Sequence, residues 1–243
     1  MKTIASVVGA RPQFVKAGPV SRALASDFNE VMIHTGQHYD HGMSEVFFEE
    51  MKIPKPAFNL GVAGGPHGEQ TGRMLIELEK VIGEVRPEGV LVYGDTNSTL
   101  AGALVAAKTG IPLAHVEAGL RSYDRSMPEE INRVISDHVS NILFCPTETA
   151  VENLAKEGIT DGVHCVGDVM YDALLSHLEV ARRQSKIMAN LGLSKRGYAL
   201  TDPPGGECGR SHADALHPRR VGRAFGARGV PRSSQNAADD QRA

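Results

Sequence analysis

Short apolar runs alternate with helical patterns over residues 1–200. Residues 90–92 and 142–144 are apolar at every position, which is typical of strands buried on both faces of a sheet. Between Met74 and Val85, apolar side chains recur every three or four positions, the spacing of an amphipathic helix. The pattern predicts strands at residues 3–8, 30–35, 89–93, 113–117, 142–145 and 163–166. It predicts helices at residues 71–85, 100–107, 129–139, 148–157 and 171–181.

This alternation predicts the fold class, an α/β domain with a doubly wound, Rossmann-like parallel sheet. Right-handed crossovers place helices on both faces of such a sheet. Its ligands bind beyond the carboxyl ends of the strands, near the point where the strand order reverses. Five segments that follow predicted strands are rich in Gly, Thr, Arg or acidic residues: 9–12, 36–40, 94–98, 118–122 and 146–149. We therefore expect a binding site at that edge of the sheet.

Composition excludes several classes of function. The 243 residues are 41% hydrophobic and 23% charged, and the net charge of −3 provides no basic field for nucleic acid or an anionic membrane. No apolar run approaches the ~20 residues of a membrane span, and the first residues begin a strand pattern rather than a secretory leader. Cys145, Cys165 and Cys208 are odd in number and lack metal-ligand spacing. We expect a cytoplasmic protein that binds no metal, nucleic acid or membrane.

The segment from Gly94 to Ser98 leads from a predicted strand into a predicted helix. Gly94 allows a tight turn that presents Asp95 at the strand end. Residues 96–98 are all suitable N-caps, and the helix amides behind them favour an anion. Asp95 either caps the helix or carries chemistry. Neither a Gly-x-Gly-x-x-Gly string nor a Walker A loop occurs, so no dinucleotide or nucleoside triphosphate is indicated.

Two further acidic positions lie at the same predicted edge. Glu117 ends the strand predicted at 113–117, where a carboxylate is costly unless it is paired or functional. A structural ion pair with Arg121 is the alternative to a functional role. Glu129 and Glu130 follow Pro128 at a helix start, where their charge suits the helix dipole, so capping alone explains them.

Together, Asp95, Glu117 and Glu129 predict a site for acid–base chemistry, which none of the three indicates alone. Acidic groups close to one another and to an anionic substrate raise each other's pKa, so such a trio can supply an acid or a base near neutral pH. A site of this kind can remove and return a proton on carbon. Arg11 and Arg121 are candidates to hold a phosphate or a carboxylate.

Several motifs resemble those of one family. Residues 8–13, Val-Gly-Ala-Arg-Pro-Gln, are similar to the Gly-Thr-Arg-Pro-Glu opening of the non-hydrolysing UDP-N-acetylglucosamine 2-epimerases. Further signatures follow in the same order at residues 35–38, 94–96, 115–121, 128–133, 146–148 and 167–172. The resemblance covers residues 1–200. Ala10 and Gln13 depart from the usual Thr and Glu, which leaves the subtype open.

The resemblance implies a fold and a reaction. The fold is one half of a GT-B arrangement, in which two Rossmann-like domains hold a nucleotide sugar in the cleft between them. Family members convert UDP-N-acetylglucosamine into UDP-N-acetylmannosamine by eliminating UDP and adding it back, and they supply cell-surface polysaccharide biosynthesis. The resemblance implies no metal and no other cofactor, and a homodimer in the full-length family.

The resemblance also implies roles for individual residues. It assigns the proton transfers and the support of the reacting sugar to three acidic residues, Asp95, Glu117 and Glu129. It places three basic residues at the substrate: Arg11, Arg121 and Arg133. Some bacterial members bind a second, activating UDP-N-acetylglucosamine, and the matching positions are Gln37, His38 and Arg73.

Residues 201–243 differ in character from the rest of the chain. They contain no Lys, Ile, Met or Tyr, but seven Arg, six Gly and four Pro, and no periodicity can be followed. A one-nucleotide shift of the back-translated codons permits the strings THRAEN and FPVHPRT, which resemble second-domain motifs of the family. We therefore predict an amino-terminal domain at 1–200 and a non-native, disordered tail at 201–243 that follows a frameshift near codon 201. The shortened chain is expected to be impaired as an epimerase.

Other readings remain open. The chain could derive from a hydrolysing relative that releases UDP and N-acetylmannosamine, or from a GT-B glycosyltransferase. The acidic trio favours an epimerase over a transferase. A non-catalytic remnant with a regulatory or interaction role is the third reading, and binding of UDP-N-acetylglucosamine without turnover would support it.

Overall fold

A computed structural model describes residues 1–37, 53–194 and 198 of the chain. Within this part, the strands are β1 (Lys2–Val8), β2 (Phe28–His34), β3 (Phe58–Asn59), β4 (Gly89–Tyr93), β5 (Leu113–Val116), β6 (Ile142–Cys145) and β7 (Val163–Cys165). The helices are α1 (Arg11–Leu24), α2 (His67–Val85), α3 (Asn97–Thr109), α4 (Pro128–Val139), α5 (Glu148–Lys156), α6 (Val169–Gln184) and α7 (Ile187–Asn190). None of these helices is long and apolar enough to cross a membrane.

Among the described residues, seven strands form one parallel sheet in the order β3-β2-β1-β4-β5-β6-β7. All five residues of β4 are buried, because helices cover both faces of the sheet at its centre. On one face, α2 and α3 close an apolar core that includes Met74, Leu78 and Val92. On the other face, α1 and α6 close a second core around Phe14 and Tyr93. The predicted doubly wound α/β fold is confirmed.

By its internal contacts the chain divides into two units, Met1–Ser185 and Lys186–Ala243. The first unit contains the whole sheet and helices α1 to α6. The described part of the second unit contains α7. The predicted boundary at residue 200 and the predicted nature of 201–243 lie outside the described residues and stay predictions.

The predicted strands agree with the structure to within two residues at each end. The predicted helices are all present, although α2 begins at His67 rather than residue 71. Sequence reasoning missed β3, α7 and α1. Helix α1 begins with Arg11 and Pro12 and carries Pro19 in its interior, where proline normally breaks a helix.

The placement of Glu117 within a strand is wrong. Strand β5 ends at Val116, and Glu117 has a φ of +74°, in the left-handed region. The backbone N–H groups of Glu117 and Ala118 both donate to the carbonyl oxygen of Phe144 on β6, each at 3.1 Å. This shared acceptor ends the regular hydrogen-bond ladder between β5 and β6. The resulting turn gives the Glu117 side chain a different direction from the one that it would have in a continued strand.

Candidate active site

The strand order reverses between β1 and β4, so the loops after these two strands flank the crevice that this architecture uses for ligands. Both loops begin with a glycine. A Cβ on Gly9 would lie 2.1 Å from Oγ1 of Thr35 and 2.2 Å from Oγ of Ser98, so the three segments meet too closely for a side chain. Gly94 has a φ of +62°, which confirms the predicted tight turn after β4.

Asp95 follows this turn and forms an ion pair with Arg133 of α4. The backbone carbonyl of Asp95 accepts a hydrogen bond of 2.9 Å from Nδ2 of Asn132, the residue before Arg133. The N-cap of α3 is Thr96, whose side chain accepts from the N–H of Thr99. The alternative in which Asp95 is only a helix cap is therefore wrong, and its carboxylate faces α4 instead.

Glu117 forms an ion pair with Lys16 of α1, with 2.7 Å between Nζ and Oε2. Only 8% of the Lys16 side chain and 18% of the Glu117 side chain are exposed, so water screens this pair poorly. A Cβ on Gly94 would lie 2.8 Å from Nζ of Lys16 and 3.8 Å from Oε1 of Glu117. The pair thus lies directly against the turn that carries Asp95.

Glu129 and Glu130 differ in environment although they are adjacent. Glu130 is buried and accepts from the N–H groups of Ser122 and Tyr123, at 2.9 and 2.8 Å, and from Arg133 at 2.8 Å. Burial alone would raise the pKa of Glu130, but these hydrogen bonds and the Arg133 charge hold it below its ordinary value. Glu130 therefore anchors the loop before α4. Glu129 is half-buried in the first turn of α4.

The alternative in which Glu117 forms a structural ion pair with Arg121 is wrong. Arg121 donates to Asp137 at 2.6 Å and, through two nitrogens, to Glu157 at 2.7 and 2.8 Å. Its side chain is only 1% exposed. Burial would lower the pKa of Arg121, yet the hydrogen bonds with Glu157 and Asp137 raise it above its ordinary value. The geometry gives Arg121 a structural contact with α4 and α5, and its assignment to substrate binding stays a prediction.

Sequence comparison places this chain in a known family. The family model described as UDP-N-acetylglucosamine 2-epimerase matches residues 22–202, which is more than half of the chain. The chain belongs to the UDP-N-acetylglucosamine 2-epimerase family. This match includes the turns after β4 and β5 and the helix α4, where the three predicted catalytic carboxylates lie.

Individual members of the epimerase family match at high identity. A UDP-N-acetylglucosamine 2-epimerase homolog of Methanococcus maripaludis is 56% identical over 198 residues, which cover 81% of this chain and 56% of that protein. A UDP-2,3-diacetamido-2,3-dideoxy-D-glucuronate 2-epimerase of Pseudomonas aeruginosa is 55% identical over 177 residues, or 71% of this chain and 50% of that protein. The chain therefore spans about half the length of the relatives that it matches.

A solved structure agrees with these matches. The UDP-GlcNAc 2-epimerase of Methanocaldococcus jannaschii, crystallised with UDP-GlcNAc and UDP, is 49% identical and superposes with a TM-score of 0.76. The match covers 78% of this chain and 53% of that one. A member from Neisseria meningitidis bound to UDP-GlcNAc has 32% identity and a TM-score of 0.72.

Other predicted site residues of this epimerase-family chain lie around the same edge. Arg11 is exposed at the first position of α1, and Arg133 bridges Asp95 and Glu130. Gln37 accepts a hydrogen bond of 2.9 Å from the Ser98 hydroxyl at the start of α3.

The remaining two predicted residues concern the activating site. Arg73 on α2 is exposed and donates to the carbonyl oxygens of Ala63 and Gly64 at 3.2 and 2.9 Å. His38 lies outside the described residues. The second, activating site therefore stays a prediction. In the described ranges, no group of three or more His, Cys, Asp or Glu side chains is arranged to hold a metal ion.

Sequence reasoning missed two residues that shape the site. Lys16 lies among buried residues of α1, between Phe14 and Ala17, and a cation there requires a partner. Gln13 is fully buried and accepts from the N–H of Gly9 at 2.8 Å while donating to the carbonyl of Tyr93 at 3.0 Å. It thereby ties the loop after β1 to the end of β4. Both lie on α1, a helix that the sequence pattern did not predict, so their burial could not be read from the sequence.

Proposed function

We propose that this chain derives from a UDP-N-acetylglucosamine 2-epimerase, an isomerase that interconverts UDP-N-acetylglucosamine and UDP-N-acetylmannosamine. The observation that carries the proposal is the meeting of two ion-paired carboxylates, Asp95 with Arg133 and Glu117 with Lys16, at the switch point of the sheet. The family match and the bound UDP-GlcNAc in the M. jannaschii relative support it.

The proposed reaction needs a base and an acid on one sugar carbon. A base removes the proton from C2 while the C1–O bond to UDP breaks, which leaves a C1–C2 double bond and free UDP. A proton then returns to the opposite face of C2 as UDP adds back to C1. The reaction consumes no oxidant and no cofactor, because the proton and UDP that leave are both returned. Two or more carboxylates on different sides of the sugar can perform such a sequence.

We assign these transfers to Asp95, Glu117 and Glu129, which lie in the turn after β4, in the turn after β5 and in the first turn of α4. Lys16 and Arg133 hold two of the three carboxylates in place by charged hydrogen bonds. Arg11, at the start of α1, is assigned to the anionic diphosphate, where the helix N-terminus adds its dipole. The roles of Arg121 and Arg133 in substrate binding, and of Gln37, His38 and Arg73 in activation, belong to the same proposal.

The catalytic cleft also needs a second Rossmann-like domain, in the GT-B arrangement, to exclude water and to grip the uridine and diphosphate. The chain covers about half of the length of its relatives, and we propose that the reading frame of the gene changes near codon 201. In this proposal the 243-residue polypeptide has little or no epimerase activity. The frame-corrected protein would be a cytoplasmic enzyme that acts as a homodimer.

The test compares the 243-residue chain with the product of a gene from which one nucleotide after codon 201 is removed. Each is incubated with UDP-N-acetylglucosamine and its products are separated. The frame-corrected protein should form UDP-N-acetylmannosamine, and Asp95→Asn or Glu117→Gln should lower its turnover about 10²- to 10⁴-fold. Asp161→Asn, an exposed acid before β7 at the opposite edge, is the matched control. Turnover by the 243-residue chain itself, lost in Asp95→Asn, would contradict the proposed incompleteness.

A second candidate substrate rests on the P. aeruginosa relative, which is named for UDP-2,3-diacetamido-2,3-dideoxy-D-glucuronate and is 55% identical. That sugar differs at C3 and C6 and shares the acetamido group at C2, where the proposed chemistry occurs. Parallel assays with the two UDP-sugars decide between them by the ratio of kcat/KM. Release of free N-acetylmannosamine would instead identify a hydrolysing enzyme, and binding without turnover a non-catalytic remnant.

A further inference from the structure

A buried histidine lies behind the two turns that carry Asp95 and Glu117. The ring of His115 on β5 and the carboxylate of Asp137 on α4 are both completely buried. Nδ1 of His115 lies 2.7 Å from Oδ1 of Asp137, and Nε2 lies 2.7 Å from the carbonyl oxygen of Gly94. Both ring nitrogens are therefore within hydrogen-bond distance of an oxygen.

Neither of these oxygens has a proton to donate. A peptide carbonyl only accepts. The other oxygen of Asp137 accepts from Arg121 at 2.6 Å and from the N–H of Gly119 at 3.1 Å, which is the environment of an ionised carboxylate. Burial alone would raise the pKa of Asp137, but its contacts with His115 and Arg121 hold it below its usual value. A neutral imidazole has one N–H, so it would leave one of the two 2.7 Å contacts without a proton.

We propose that His115 is held as an imidazolium and acts, with Asp137, as a positioning residue for the catalytic carboxylates Asp95 and Glu117. This inference rests on the proposed function, because that function makes these two carboxylates catalytic. His115 does not touch the substrate in this account. It acts through the backbone of the two turns.

The charges around the ring balance, which makes a buried imidazolium physically reasonable. His115 and Arg121 supply two positive charges, while Asp137 and Glu157 supply two negative charges. Asp137 lies between the two cations, and Glu157 binds Arg121 through both of its oxygens. A buried charge is tolerated when it is paired and hydrogen-bonded in this way.

The pair formed by His115 and Asp137 reaches both catalytic turns. The carbonyl of Gly94 accepts from the ring, while its N–H donates to the carbonyl of Val116 at 2.9 Å, so the peptide groups before Asp95 are held at both ends. On the other side, Asp137 accepts from the N–H of Gly119, two residues after Glu117. The turn at Glu117 has a φ of +74° and needs such support to persist.

The first test reads the charge of the ring directly in the 243-residue chain. Ring ¹⁵N spectra are recorded on protein labelled at histidine and held at pH 7.5, with His115 assigned by its through-bond correlations to the backbone. We expect two protonated ring nitrogens for His115. A single protonated nitrogen on His115 would overturn the proposal. This measurement needs neither a variant nor a ligand.

The second test reads the positioning. In His115→Gln, the carbonyl ¹³C of Gly94 should shift and the N–H of Gly119 should exchange with solvent at least about tenfold faster, while amides of β1 and β2 keep their rates. His177→Gln is the matched control and should change neither signal, because its ring lies on α6 at 2.8 Å from the carbonyl oxygen of Ala173. Equal acceleration of all amides would indicate general destabilisation and contradict a positioning role.

The two proposals fail in different ways. A neutral His115 overturns this inference and leaves the epimerase proposal intact. An inactive frame-corrected enzyme overturns the epimerase proposal, whereas the charge of the ring would still be as described. In a frame-corrected enzyme that is active, His115→Gln should lower kcat about 10- to 100-fold with little change in KM, as expected for a residue that supports catalytic groups without touching the substrate.

Discussion

Replacing Arg121 separates the structural role seen here from the substrate-binding role that the family resemblance implies. Arg121→Met keeps much of the aliphatic volume and removes the guanidinium. In the structure, that guanidinium makes three hydrogen bonds of 2.6 to 2.8 Å to Asp137 and Glu157, and one of 2.7 Å to the carbonyl of Leu120. A residue whose only role is to bind a ligand would not need these contacts.

The expected loss of unfolding free energy depends on the two carboxylates that Arg121→Met leaves without the guanidinium. Asp137 stays fully buried and loses its guanidinium partner, whereas Glu157 is 25% exposed and recovers some hydration. Breaking a buried ion pair by removing one partner costs about 3–5 kcal/mol. We expect a loss of unfolding free energy in this range, and only partial recovery in Arg121→Lys, because an ammonium cannot bind two carboxylates in the bidentate geometry.

The assay is urea unfolding of the 243-residue chain, followed by far-UV circular dichroism. The m-value should stay constant while the midpoint falls. Arg182→Met is the matched control, because the pair of Arg182 with Glu179 is exposed on α6 and should contribute little. If Arg121→Met lowers the midpoint no more than Arg182→Met does, the structural role assigned to Arg121 is wrong.

Four further predictions concern other parts of the same unit. The lowered pKa of Asp137 contributes stability above its unfolded pKa near 3.9 that is lost as the pH falls through the folded value, so the urea midpoint should drop on acidification and drop less in Asp137→Asn. Lys16→Met leaves the largely buried Glu117 without its cation and should lower the turnover of the frame-corrected enzyme at least about tenfold; unchanged kcat would argue against the pair. Gly9→Ala should cost about 1–3 kcal/mol of unfolding free energy in urea because its Cβ meets Thr35 and Ser98, whereas Gly83→Ala in open space on α2 should stabilise by about 0.5–1 kcal/mol. An apolar cavity of about 600 Å³ between the sheet, α1 and α6 should bind the dye ANS, and fluorescence should fall in Ala23→Lys at its rim.

Much of the fold could be predicted because its signals are local. A strand buried on both faces, such as β4, is apolar at every position, and an amphipathic helix such as α2 repeats every three or four residues. Helix α1 could not be predicted in this way, since Pro19 breaks the local pattern and the helix is retained by packing against α6 and the sheet.

The candidate site was predictable in its location but not in its pairings. Asp95 and Glu117 follow neighbouring parallel strands, so the topology alone brings them to one edge. The ion-pair partners are distant in sequence. Lys16 lies 101 positions before Glu117, and Glu157 reaches Arg121 only because α5 packs beside it. The left-handed turn at Glu117 also depends on β6, through the carbonyl of Phe144.

Under the proposed function, this chain carries one half of an epimerase active site, which becomes productive only with the second domain. The most direct measurement follows ¹H NMR of UDP-N-acetylglucosamine in D₂O with the 243-residue chain and with the frame-corrected protein. We expect the frame-corrected protein to exchange the C2 proton for deuterium as UDP-N-acetylmannosamine forms, and the 243-residue chain to leave C2 protonated. No exchange with either protein, or equal exchange with both, would contradict it.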